Sequence, residues 1–315
     1  MDSLAFSLNA TVPVFLMMVF GYLMRQIKMM DEPFLKVLDR FNFRVTLPAL
    51  LFWDIANSDF GQMWDTRYVL YCFGVTLFCI LVIWGLSSLL MKDKRDIGEF
   101  VQASYRGSAA VLGVAFIQNI YGNSGMAPLM IIGTVPLYNV ASVIILSFTR
   151  PGIGKLEWKT VKKALIGVVT NPIIISILVG MIFSLLKVPF HPILKKTITG
   201  ISGLATPLAL IGLGAGFEGG KAVKKIKPTI CCTIIKLLVQ PAIFLPLAVW
   251  MGFRDEKLVA LLIMLGAPTT VSCYIMGKNM GHDGVLTSGV VVMTTCVGAA
   301  TITLWLFVLR NLGLI

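Results

Sequence analysis

The chain has 315 residues, 57% of them hydrophobic and 13% charged, with a mean hydropathy of +0.86. A soluble domain is about 45–50% apolar and about 25% charged, so an ordinary water-soluble fold is excluded. The net charge of +12 would point to nucleic acid in a soluble protein; in an apolar chain it fits the Lys and Arg that gather in cytoplasmic loops, and no nucleic-acid partner is expected.

Ten apolar runs follow one another, at residues 4–24, 37–56, 68–91, 100–121, 127–148, 164–186, 197–217, 229–250, 258–277 and 286–309. Each is about as long as a helix needs to be to cross a bilayer. The runs are continuous, whereas a membrane β-barrel needs short alternating segments. The expected fold class is therefore an all-α polytopic membrane protein. Met1-Asp2-Ser3 lacks the basic start of a cleavable signal, so the first run is read as a span. Most loop Lys and Arg fall on one side of this arrangement, with clusters at 25–40, 92–95, 150–163 and 221–227. The positive-inside rule then places the protein in the cell membrane with both termini extracytoplasmic.

A constant shift of 159 residues lays Pro13 on Pro172, Gly21 on Gly180, Pro48 on Pro207, Gly107 on Gly266 and Gly122 on Gly281. The chain thus reads as two five-span repeats, 1–156 and 157–315. Because five is odd, the second copy is inverted in the membrane. Secondary transporters are often built this way, with interrupted helices and a midplane site between the repeats.

The fourth run carries Arg106, Gly107, Ser108 and Ala109; its counterpart in the ninth carries Gly266, Ala267, Pro268, Thr269 and Thr270. Intramembrane charge is costly and usually faces a cavity. The planar fork of an arginine matches a carboxylate. Pro268 breaks an apolar helix, so the half beyond it can offer N-terminal N–H groups to an anion, beside the hydroxyls of Thr269 and Thr270. Asn139 in the fifth run and Gln240 in the eighth are further candidate contacts. Lys236 reads as a counter-ion, as a substrate contact or as a partner for backbone carbonyls. No Asp or Glu occupies the middle of a run, so a carboxylate proton relay has little support and the site reads as cationic.

Cys72, Cys79, Cys231, Cys232, Cys273 and Cys296 lie in apolar runs without a CxxC pair, and His191 and His282 lie in separate loops. No disulfide frame, metal site, cofactor or catalytic triad is assembled, and no enzymatic activity is expected. The glycine-rich 212–220 stretch lacks the GK[ST] of a phosphate loop and reads as close helix packing.

Thr46-Leu47-Pro48-Ala49-Leu50-Leu51-Phe52, Asn171-Pro172, Thr206-Pro207-Leu208-Ala209-Leu210, Gln240-Pro241 and Ala267-Pro268-Thr269, in that order and spacing, resemble the auxin efflux carrier family, which includes plant PIN-type carriers and bacterial organic-acid permeases. The resemblance implies ten helices in two inverted repeats, with helices four and nine crossed and interrupted. It also implies a scaffold of helices one, two, six and seven, a mobile body of the remainder, elevator-type motion and homodimers formed through the scaffold. Ser108 and Ala115 stand where the family commonly has Asn and Pro, so a milder break is expected in the fourth helix. The function expected is secondary transport of a small organic anion, a carboxylate, with a proton or sodium left open as coupling ion. The competing reading is a membrane sensor that retains a transporter fold.

Overall fold

The computed structural model describes residues 2–57, 64–109, 117, 126–150, 166 and 170–315. Among them the regular structure is helical; no strand forms, and a single β-bridge joins Gly107 to Thr269. A bilayer core offers no water to backbone groups, and helices satisfy them internally.

In chain order the helices begin with α1 (Asp2–Gln26) and α2 (Glu32–Phe41). Asp31 caps α2 by accepting the N–H of Phe34 at 2.8 Å. A π-helical turn, Asn42–Thr46, continues α2 into α3 (Leu47–Ala56). Then come α4 (Thr66–Leu90), α5 (Ile97–Tyr105), α6 (Ala127–Phe148) and α7 (Pro172–Leu185). Asn171 caps α7 through the N–H of Ile173 at 2.9 Å. The second half adds α8 (Pro192–Gly203), α9 (Ala205–Ala215), α10 (Gly219–Lys224) and α11 (Ile226–Ile234), which a second π-turn, Ile235–Val239, joins to α12 (Gln240–Trp250). The last three are α13 (Asp255–Gly266), α14 (Ser272–Asn279) and α15 (Val285–Asn311).

Five described segments are long and apolar enough to cross a membrane: Thr66–Leu90, Leu129–Phe148, Pro192–Ala215, Ile226–Trp250 and Val285–Asn311. They match the third, fifth, seventh, eighth and tenth apolar runs. Helix α1, the α2–α3 pair and α7 fall on the first, second and sixth runs. Most of the fourth run beyond Ala109, including Ala115, and the basic loop at 151–165 lie outside the described residues.

Small residues set the close helix contacts, as expected where lipid supplies little drive for association. Helix α1 packs on α9 so tightly that a Cβ on Gly21 would overlap the Ile211 carbonyl, and one on Gly214 the Met18 carbonyl. Helix α3 packs on α7, where Phe52 meets Phe183 edge-on at 5.3 Å between ring centroids. Elsewhere α4 packs on α6 with Gly133 against Cys72, α11 on α15, and α12 on α13. The Tyr71 hydroxyl donates to the Phe244 carbonyl at 2.5 Å, which ties α4 to α12.

Candidate functional site

Helix α13 stops where its sequence requires. The residue before a proline is driven into extended geometry, and Ala267 has φ −67° and ψ 149°. Pro268 then offers no N–H, and the chain stays non-helical until α14 begins at Ser272. Helix α5 stops at Tyr105 without a proline in its last turn; Arg106 is extended at φ −81° and ψ 121°. The helix of the fourth run thus ends on entering its Arg-Gly-Ser segment; Ala115, on which the expectation of a milder break rests, lies outside the described residues. The two extended stretches pair with each other. Gly107 bridges Thr269, and the Ser108 N–H donates to the Pro268 carbonyl at 2.8 Å.

A helix end leaves its last carbonyls without helical partners. Three side chains take those of α5 one by one. The Thr269 hydroxyl donates to the Ala103 carbonyl at 2.8 Å, Gln240 Nε2 to Ser104 at 2.8 Å, and Lys236 Nζ to Tyr105 at 3.2 Å. Lys236 Nζ also donates to the Met264 carbonyl, in the last turn of α13, at 3.1 Å. The Thr269 N–H is held by Thr294 Oγ1 at 3.1 Å.

Beside this pairing lies a cavity of about 110 Å³. Its walls are Arg106, Gly107 and Ser108 from the first break and Pro268, Thr269, Thr270, Val271 and Ser272 from the second. Val135, Tyr138 and Asn139 of α6, Val291 and Thr295 of α15, Thr206 and Leu210 of α9, and Leu47, Leu50, Leu51 and Asp54 of α3 complete it.

Arg106 is 3% exposed. Its Nη1 donates to Ser142 Oγ at 3.1 Å and to Met276 Sδ at 2.8 Å, and its Nη2 to Asn139 Oδ1 at 2.8 Å. Asn139 is oriented in turn by donating Nδ2 to the Val135 carbonyl at 2.8 Å. Among the described residues Arg106 makes no ion pair, and its Nε–H has no partner. A buried, fully charged donor set with one N–H unfilled is suited to holding an anion.

Of the candidates drawn from the sequence, Arg106, Ser108, Asn139, Pro268, Thr269 and Thr270 share the cavity. Ala109 is fully buried and is not part of the wall. Gln240 and Lys236 stand behind the paired breaks on backbone carbonyls and do not line it. Asp54 is the acidic residue of the wall and was not among those candidates. It lies near the end of its apolar run, yet packing brings it to the same cavity as Arg106. Its signal was available: it is the only acid in the second apolar run outside the run's first turn.

A family model described as "Membrane transport protein" matches residues 6–306. The chain belongs to the auxin efflux carrier family of membrane transport proteins. Similar proteins include an "Uncharacterized transporter" of Methanothermobacter thermautotrophicus, 23% identical over 308 residues, covering 96% of this chain and 98% of that protein. A "Putative malonate transporter" of Rhizobium meliloti is 21% identical over 311 residues, covering 95% of each chain. The family and the long apolar helices make the chain an integral membrane protein of transport function. The cavity is where this family member joins its two interrupted segments.

Proposed function

We propose that this carrier is a secondary transporter of a small organic anion, a carboxylate, bound in the Arg106 cavity. The observation that carries the reading is the buried Arg106 side chain in the cavity wall, which makes no ion pair among the described residues and whose Nε–H has no partner. The size of the cavity agrees: about 150 Å³ of buried space admits benzene, so about 110 Å³ suits an acid with few heavy atoms. The N-terminal approach to α14 runs through Thr270, Val271 and Ser272 in the cavity wall, and a helix N-terminus favours negative charge. Asp54 opposes the anion and limits its affinity. The relative named for malonate supports a short carboxylate as the first substrate to test.

For the movement, the reading is elevator-type alternating access. The α1–α9 and α3–α7 packing on one hand, and the α4–α6, α11–α15 and α12–α13 packing with the paired breaks after α5 and α13 on the other, support a scaffold and a mobile body. The 159-residue internal match supports inverted repeats with crossed fourth and ninth helices, and the loop charges support both termini outside. Purified protein in proteoliposomes loaded with unlabelled malonate is expected to accumulate labelled malonate by counterflow. Specific binding without flux would instead identify a sensor.

A further inference from the structure

We infer that Lys236 is a resident cation, standing where the two interrupted helices would otherwise call for a bound metal ion, and that the carrier works without sodium. The inference rests on the transport reading above, but half of its test does not depend on flux.

A helix C-terminus carries roughly half a negative charge. In carriers with discontinuous helices, unwound carbonyls and half-helix C-terminal ends commonly coordinate the coupling ion. Here α5 and α13 both end at the paired breaks, and one ammonium group spans them: Lys236 Nζ lies 3.2 Å from the Tyr105 carbonyl and 3.1 Å from the Met264 carbonyl. Two half-charges are thus met by one full positive charge. Lys236 is fully buried, and among the described residues no carboxylate pairs with it. The two helix ends are its counter-charge.

The surrounding chain is shaped to hold it. Lys236 sits in the π-turn Ile235–Val239, a distortion that shifts a side chain's direction and disturbs the hydrogen-bond ladder. The Leu237 carbonyl within that turn accepts from Trp305 Nε1 at 3.0 Å. Gly107 lines the cavity, and a Cβ there would lie 3.0 Å from Nζ. The absent side chain at Gly107 is therefore what lets the cation lie directly beneath the break. An internal ammonium also differs from a metal ion in mechanism, because it cannot leave on either side of the membrane.

The test compares wild type, Lys236→Ala and Lys236→Met in sodium, methylammonium or choline chloride. Thermal unfolding and malonate counterflow are both read. Wild type is expected to give the same unfolding midpoint and flux in sodium and in choline. Lys236→Ala leaves both the carbonyls and a space, so its midpoint in choline falls and its flux drops at least tenfold; sodium or methylammonium restores both with increasing concentration. Lys236→Met fills the space without charge and is not rescued. Wild-type flux that requires sodium would overturn the inference, as would a Lys236→Ala protein that matches wild type in choline. Should wild type show no malonate counterflow, the transport reading fails while the melting comparison still decides the role of Lys236. Should Lys236→Ala fail to insert, the wild-type comparison of sodium with choline decides it.

Discussion

The Ser108 N–H donates to the Pro268 carbonyl at 2.8 Å, and through that bond two helix interruptions from opposite halves of the chain satisfy each other. Each break frees polar backbone that lipid cannot solvate. Pairing them places Arg106 in one cavity wall with the hydroxyl residues of the second break, so the device that stabilises the interruption also lines the cavity.

Pro268 needs room on α15. A Cβ at residue 298 would lie 2.6 Å from the Pro268 Cγ, and both atoms sit on backbone that is held in place. Gly298→Ala is expected to cost about 1–3 kcal/mol through overpacking and to reduce malonate counterflow by displacing the break. Thermal unfolding of the purified variant, with flux measured at equal reconstitution, checks this.

Asp54 shares the cavity with Arg106. A carboxylate in the wall repels an anionic ligand, so Asp54→Asn is expected to tighten malonate binding by roughly fivefold, about 1 kcal/mol. The shift of unfolding midpoint with malonate concentration gives the two dissociation constants. Weaker binding in the variant would assign Asp54 a ligand-holding role instead.

At one membrane edge Lys257 Nζ meets Asp65 Oδ2 at 2.6 Å, joining the start of α4 to the start of α13. The hydrogen bond from Lys257 and that from the Tyr68 N–H hold the Asp65 carboxyl below its usual range. A depressed carboxyl pKa stabilises the fold above the unfolded value near pH 4 and loses that stabilisation as pH falls through the folded value. The unfolding midpoint of wild type should exceed that of Asp65→Asn at pH 6, and the gap should narrow as the pH falls below the unfolded carboxylate range. The pair is partly exposed, so the gap is small and shrinks with added salt.

The Pro268 break was legible because its cause is local: a proline fixes the geometry of the residue before it, and Ala267 obeys. The burial of Arg106 beside a cavity was legible because a charge in an apolar run has few tolerable places. The roles of Gln240 and Lys236 could not be read the same way. Their partners are carbonyls of α5 and α13, and a sequence does not show which distant carbonyls are left open. Glu99 makes the same point. It lies just outside the fourth apolar run, yet it is buried and accepts the N–H groups of Gly284 and Thr287 at 2.8 and 2.9 Å, serving as the acidic cap of α15 from another part of the chain. Asp54 lies near the end of its apolar run, and position along a run does not show which cavity a side chain reaches. Asp54 reaches the cavity because α3 supplies part of its wall.

The most direct test of the anion site is malonate counterflow in proteoliposomes for wild type, Arg106→Ala and Arg106→Lys at matched insertion. Losing a buried charged partner costs about 2 kcal/mol or more, roughly a thirtyfold loss. Arg106→Ala should lose at least that much flux, and Arg106→Lys, which keeps the charge but not the fork, should fall between. Folded, inserted Arg106→Ala protein that exchanges malonate at the wild-type rate would contradict the account.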